Sequence, residues 1–478
     1  MDSVRRTQLL AKREVKATVT EIAQKLREAL PGERLAENEE FLLAVTGEAS
    51  RVVLEQELQQ IADSLPERLL VDGVEHKQHE PGTVVVCSLS GSLELRRYTF
   101  RQVGVHNGPT VDPTALVAGL VEGATPAMAY SVAHGYAQHD MRSHAESLEA
   151  AARVAPPRAT LERLAKRLAQ QADAAVPKLE PLLRRAETVP SQAQAISIGL
   201  DRTSVLMSEE RPADAPPKEH RPRRKPRVRR PAPDRDVNWR MAYVGTVSIV
   251  DADGEALTTR RYAAPASDDP SELVARMCAD VEAAMKQAPQ LEVGIVQDGA
   301  QEMWNATREG LTALQQREVI AQWHEGIDRF HLLERLAEAL ALVEPDATER
   351  HRLLDDWRQR LDTQDSAIDS IEHLLIRHYN EADTKTQQQL WEHVRYVQNN
   401  KDRMRYVTLE CAGLPVGSGV TESAAKTVVG RRAKNAGQRW SEPGLRGVLT
   451  LRALHQSQRL PRFWSRFSRR YVKNVEAA

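Results

Sequence analysis

An aspartate interrupts an apolar strand pattern in this chain. In AQAISIGLDRTSVLM, residues 193–207, aliphatic and β-branched residues alternate or run together, and Asp201 lies inside them. Burying a carboxylate there is costly, so the position demands an explanation. The surroundings narrow the fold. NWRMAYVGTVSIV and ALTTRRYAAP are two alternating runs joined by Asp251-Ala252-Asp253-Gly254, a tight-turn sequence, and so predict a hairpin. The helical segment PSELVARMCADVEAAMKQA follows, then a compact strand, LEVGIVQ, that ends at Asp298-Gly299. Three antiparallel strands, a helix and a buried strand tipped by an acid are the layout of a ribonuclease H-like core in a mixed α/β fold. Asp251 and Asp253 belong to turn geometry and are left out of any chemistry.

Residues 303 to about 410 read as helix throughout, with Leu332, Leu333, Leu336 and Leu340 on one face of the first. The core resumes at LPVGSGVTESAAKTVVGRRAKNAGQRW, where Gly417-Ser418-Gly419 starts a helix and Glu422 falls in its first turn. Before the core, residues 14–65 carry helical spacing broken at Pro31-Gly32. GTVVVCSLSG and SLELRRYTFRQVGV predict a small β element around Ser90-Gly91, and helices resume after Pro113. Two helices separated at Val154 to Pro157, the second led by Thr160 and carrying Arg163, Lys166 and Arg167, outline a helix-turn-helix. The expected organisation is a mainly helical N-terminal region over 1–190, a first part of the catalytic core over 191–302, a helical insertion over 303–410, and the rest of the core with basic helices over 411–478.

A length of 478 residues with 41% hydrophobic content suits two to four packed domains. No stretch approaches the roughly 20 apolar residues of a membrane span, the first residues hold no apolar leader core, and Cys87, Cys278 and Cys411 are far apart. These features predict a cytoplasmic protein without structural zinc. Lys plus Arg, 66, nearly balance Asp plus Glu, 67, but the balance is uneven along the chain. Residues 423–478 hold thirteen Lys or Arg against Glu442 and Glu476, and KEHRPRRKPRVRRP at 218–231 is an Arg-rich, Pro-broken arm. Charge clustered in this way predicts contact with a polyanion such as nucleic acid. For the arm alone, a solvated loop explains the charge equally well.

Asp201, Asp298 and Glu422 would converge at one edge of such a sheet and there hold two divalent cations, the requirement for in-line displacement at a phosphodiester. Mg²⁺ or Mn²⁺ suits an all-oxygen ligand set. Singly, each acid has an ordinary explanation as a solvated strand end or a partner for a helix dipole. The segments ISIGLDRT, VQDGAQEMW, DRFHLLERL and above all GSGVTESAAKTVVGRRAKNAGQRW resemble the insertion-sequence Kra group of bacterial DDE transposases, more distantly the Mutator-like enzymes. The resemblance runs from about residue 110 to the end. It implies that Asp201, Asp298 and Glu422 are the DDE triad, and that the 303–410 helices are the insertion such enzymes carry before their Glu. It also implies metal-dependent DNA strand cleavage and transfer without a covalent intermediate. RRYTFRQVGVHNG lacks the cysteines that relatives often place there, which argues against a zinc module.

The same resemblance makes Asp328 and His331, a DxxH one helical turn apart, a supporting pair, although a His on such a helix is more often a packing residue. Lys426 either neutralises a DNA phosphate or pairs with Glu422 one turn away. Arg431, Arg432, Lys434 and Arg439 suggest a phosphate-tracking face, joined by Arg223, Arg224 and Lys225 of the arm. Trp440 either stacks on an unpaired base or anchors the core. The expected partners are double-stranded DNA, as terminal inverted repeats and target, and a second copy of the chain, since two DNA ends must be brought together. The rival readings are a catalytically silent transposase-derived regulator that binds DNA, and a structure-selective nuclease on the same core.

Overall fold

The computed structural model describes residues 8, 11–32, 34–212, 235–265, 269–298, 300–435 and 437–478. The basic arm, with Arg223, Arg224 and Lys225, lies outside the described residues. The chain forms two compact units. One takes in the described residues up to Gly135, with His139–Ala165 and Ser468–Ala478; the other takes in Tyr136–Gln138 and Lys166–Phe467.

In the first unit, helices α1 (Arg13–Glu28) and α2 (Leu35–Ser64) flank the Pro31-Gly32 break. Strands β1 (Arg68–Val71), β2 (Val74–Ser88), β3 (Gly91–Gln102) and β4 (Thr110–Val111) form an antiparallel sheet, completed beside β1 by a C-terminal strand, Val475–Ala477. The expected hairpin at Ser90-Gly91 is present, and Leu58 of α2 packs with Val86, Leu93 and Leu95 beneath it. β2 starts earlier than alternation suggests, because the polar run from Val74 is carried into the sheet by pairing with β1 and β3. Helices α3 (Pro113–Ala118), α4 (Pro126–Gln138) and α5 (Met141–Ala150) each begin at a side-chain cap, Asp112, Thr125 and Asp140.

Helix α6 (Arg158–Arg184) follows the break at Val154 to Pro157 and runs for 27 residues. Arg163, Lys166 and Arg167 lie on its exposed side, while Leu168, Ala172, Val176 and Leu179 are buried. The second unit is built on β5 (Ala195–Glu210), β6 (Arg235–Val250), β7 (Ala256–Pro265), α7 (Pro270–Met285), β8 (Glu292–Gln297), α8 (Gln301–Gln316) and β9 (His324–Ile327). The sheet order is β7-β6-β5-β8-β9. The first three strands are antiparallel, and β8 and β9 run parallel to β5. Asp251 shapes the β6–β7 turn by accepting from the Asp253 and Glu255 amides, and Gly254 takes φ 75°.

One part of the 303–410 stretch departs from the all-helical expectation: His324–Ile327 is a strand. Four residues, HEGI, carry no alternation to read. They become a strand only by pairing with Gly294–Gln297, some thirty residues away. Helices α9 (Arg329–Val343), α10 (Ala347–Thr363), α11 (Ala367–Glu381), α12 (Thr384–Asn400) and α13 (Tyr406–Cys411) follow. Leu332, Leu336, Trp357, Ile368, Ile371, Leu390 and Val394 pack into the same core as the sheet. The chain returns through α14 (Gly419–Ala424), a π turn (Ala425–Gly430) and α15 (Arg431–Ala433), and then α16 (Glu442–Gln456) and α17 (Leu460–Ser468). Among the described residues no helix is long and apolar enough to cross a membrane.

Helices cover both faces of the second sheet, and glycines admit them. A Cβ on Gly245 would collide with Leu273 and Met277 of α7, and one on Gly199 would collide with Thr421 of α14. Thr421 is further tied to the sheet by its hydroxyl, 2.7 Å from that of Thr246. Gly199→Ala is therefore expected to cost about 1–3 kcal/mol by overpacking. Adding Thr421→Ala should return part of that loss, since the two sites are in contact. Urea unfolding of the single and double variants measures both; simple additivity of the two losses would show that the contact does not matter.

Candidate active site

Strands β5 and β8 pair only from Ala195 to Ile198 on one side and Glu292 to Ile295 on the other, and then diverge. The buried Gln297 side chain fills the opening. Its Oε1 accepts from the Leu200 amide at 3.2 Å, and its Nε2 donates to Thr307 Oγ1 at 3.3 Å. Beyond this plug, Asp201 stands on one lip and Asp298 on the other. β5 has an antiparallel neighbour on one side and a parallel one on the other, so the opening lies where chain directions change, a usual place for a site in α/β sheets. The Ala300 amide donates to Asp298 Oδ1 at 3.1 Å and Trp304 Nε1 to the Asp298 carbonyl at 2.6 Å, which fixes the turn into α8. Glu422 arrives from α14, and one small pocket takes in Asp201, Asp298, Glu422, His331, Ser418 and Thr421.

The three acids expected to meet do share this pocket. Burial pushes the Asp201 carboxyl above the usual aspartate range, and the nearby charges of Asp298 and Glu422 push it further. The Arg202 amide, donating to Asp201 Oδ1 at 2.6 Å, and His331 act in the opposite sense. Arg202's own guanidinium is paired with Glu302 and does not neutralise the acids. Among the described residues no donor reaches Asp201 Oδ2 or Asp298 Oδ2, and Glu422 has only two 3.4 Å contacts, from Ser418 Oγ and Lys426 Nζ. Carboxylate oxygens grouped in this way, with lone pairs to spare, fit a hard divalent cation such as Mg²⁺ or Mn²⁺.

Asp328 and His331 stand next to these acids. Asp328, His331 and Glu422 offer ligand atoms that all lie within 4.8 Å of one another, so the tightest cation-competent group is not the expected trio. Asp328, however, is 1% exposed and its oxygens are already occupied. Oδ1 accepts from the Phe330 and His331 amides at 2.7 and 3.0 Å, and Oδ2 accepts from both the amide and the hydroxyl of Ser418, the latter at 2.7 Å. Burial alone would raise this carboxyl, but the Ser418 and His331 hydrogen bonds hold it below the usual range. Asp328 is thus a brace that caps α9 and pins the residue before α14. His331 lies between, with Nδ1 3.8 Å from Asp328 and Nε2 4.0 Å from Glu422.

The basic residues divide by burial. Arg431, Lys434 and Arg439 are exposed, and Lys434 donates to Thr203, two residues beyond Asp201. Lys426 is 77% exposed and sits 3.4 Å from Glu422, the i,i+4 pairing. Arg432 and Trp440 depart from the expected DNA face. Arg432 is 3% exposed, held between the Tyr136 and Trp440 rings at 5.2 and 5.0 Å, and Trp440 is 8% exposed with Nε1 donating to the Ala433 carbonyl. Both are core residues, because the strand-like pairing of Trp440 with Met207 and Ser208 folds this segment onto β5. The helix bearing Glu422 is also not regular. Its π turn directs the Thr427 and Val428 carbonyls to the buried Arg452, an arrangement frequent at functional sites.

Sequence reading overlooked Gln297, Thr421 and the anchoring role of Ser418. Gln297 had no signal, being one polar residue ending an apolar strand. Ser418 was visible only as a helix start, since its partner lies ninety residues away.

Two carboxylates here predict opposite pH effects. Asp328 titrates below an unfolded aspartate, so its stabilisation is present at neutral pH and is lost as pH falls towards the folded value. Asp328→Asn is expected to cost about 1–3 kcal/mol at pH 7, because the amide presents a donor to the Ser418 N–H. The difference should shrink as pH falls below about 4. Asp201 titrates above an unfolded aspartate, so its contribution is most favourable below the unfolded value and declines as pH rises through the folded one. Asp201→Asn in a chelator is expected to raise the melting temperature at pH 7 by about 2 °C, and to lose any stabilisation by added Mg²⁺. Thermal melts from acid to neutral pH check both, and a lowered midpoint for Asp201→Asn would contradict the charge crowding. Neither a protein-family model nor a curated protein matches this chain.

Proposed function

We propose that the chain is the DNA transposase of an insertion sequence, a DDE enzyme that cuts and joins phosphodiesters with Asp201, Asp298 and Glu422. The observation that carries this reading is the meeting of three acids from three separate elements, β5, the end of β8 and α14, in one pocket where sheet direction changes. The strand order β7-β6-β5-β8-β9, with three antiparallel and two parallel strands, supports reading the second unit as a ribonuclease H-like core. The helices α9–α13 stand between the fifth strand and the Glu422 helix, where DDE transposases of the resembled group carry an insertion.

Two divalent cations held by the three carboxylates would make an attacking oxygen nucleophilic and neutralise the leaving one. The chain's residues prepare the place for this. Gln297 holds the strands apart, Asp328 fixes the approach of α14 through Ser418, and Lys426 and Lys434 offer exposed cations to the phosphates on either side. Water attacks the phosphorus first, breaking the bond to the 3′ oxygen and leaving a free 3′-hydroxyl. That hydroxyl then attacks a phosphodiester of target DNA, so one bond forms as one breaks and no covalent link to protein is needed. Bringing two ends together calls for at least a dimer on DNA.

The test is strand cleavage and transfer on a labelled duplex carrying the DNA that borders the chain's own coding sequence, with Mg²⁺ or Mn²⁺. Asp298→Asn and Glu422→Gln are expected to lose at least about a hundredfold in cutting while still binding the duplex. Binding without cutting by the intact protein under either metal favours the silent regulator. Equal cutting by all three proteins rejects the triad.

A further inference from the structure

Of the five phenylalanines, Phe100, Phe463 and Phe467 are buried and Phe41 is half-buried, but Phe330 is 63% exposed. It lies in the first turn of α9, between the Asp328 brace and His331 of the acid pocket. One edge of its ring rests on the backbone at Gly417, where a Cβ would come within 3.2 Å of Cε2 and 3.3 Å of Cδ2. Arg329, its guanidinium 5.9 Å from the ring centroid, is itself paired with Asp362. The ring is therefore steadied along one side and open over most of its surface. Packing does not account for it, since the core face of α9 is supplied by Leu332, Leu333, Leu336 and Leu340.

We infer that Phe330 is a stacking platform for an unpaired DNA base beside the phosphate under attack. The inference rests on the proposed function and specifies its substrate: a duplex end whose terminal pairing has been opened. A phenyl ring beside carboxylates attracts neither phosphate nor a hard cation. It offers a flat apolar face, and the part of a DNA chain that matches such a face is a base. Bases within a duplex are already stacked on both sides, so the occupant is one released from its pair. Phosphates have partners of their own nearby in exposed Lys426, one turn from Glu422, and Lys434, bonded to Thr203. The pocket region thus presents cations for the backbone and an aromatic face for a base, the combination by which single-stranded DNA is held.

The experiment uses the full chain with Ca²⁺ and two short duplexes of one sequence bordering the coding region, one fully paired and one unpaired at its end with 2-aminopurine there. The intact protein and Phe330→Trp are expected to quench the 2-aminopurine and to prefer the open-ended duplex by about 5- to 100-fold. Phe330→Ala should bind both duplexes alike without quenching, and its melting temperature should match the parent because the ring is exposed. Quenching and preference retained in Phe330→Ala, or no preference in the intact protein, overturn the stacking platform. If the intact protein still cuts DNA with Mn²⁺, the transposase reading survives that result. If it binds neither duplex, both fall.

Discussion

A single buried carboxylate joins the two ends of the long helical insertion. The chain leaves the sheet at Asp328 and returns at Val416 to Ser418. There Asp328 accepts from Ser418, while the Arg329 amide donates to the Val416 carbonyl at 3.0 Å. Four donors around one charged group are what make burying it tolerable, and hydrogen bonds to a charge are stronger than neutral ones. With entry and exit clamped, some eighty residues of helix can be accommodated without the sheet or α14 losing their alignment. Glu422 owes its position to this clamp on one side and to the Gly199–Thr421 approach on the other.

The pocket itself is arranged against stability. Three carboxylates gather where two strands part, with the His331 ring and the exposed Lys426 close to Glu422. Burial and mutual repulsion raise the Asp201 carboxyl, and the available arginine turns away to Glu302. Groups crowded in this way are destabilising unless something positive joins them, and perturbed acids of this kind concentrate at functional sites. Two unusual features lie nearby in the chain, a π turn following the helix of Glu422 and an exposed phenyl ring, Phe330, set against Gly417.

Charge read along the chain overstates what is free to meet a polyanion. In the basic C-terminal segment, Arg432 lies between two rings. Burial lowers Arg452 to about 10 while it donates to main-chain carbonyls behind Glu422. Arg459 is enclosed with Glu187 and Asp280 and holds its proton more tightly than usual. Arginine's planar fork suits such buried structural work. The exposed cations are fewer and better placed, with Lys426 and Lys434 next to the acids.

The sequence by itself determined which elements form and which acids stand out. Alternation in ISIGLDRTSVL and NWRMAYVGTVSIV, the Asp-Gly turn and the leucine face of α9 are local signals, because side-chain period and turn preference depend on neighbouring residues alone. Asp201, Asp298 and Glu422 were legible for the same reason, each lying at a recognisable point of its own element. Only the tertiary structure decided what depends on distant partners: that HEGI becomes a strand, that Asp328 is a brace filled by Ser418, that Arg432 and Trp440 belong to the core, and that Phe330 stays uncovered. Burial and hydrogen-bond saturation are properties of the neighbours a residue acquires on folding, and those neighbours lie up to hundreds of positions away in the chain.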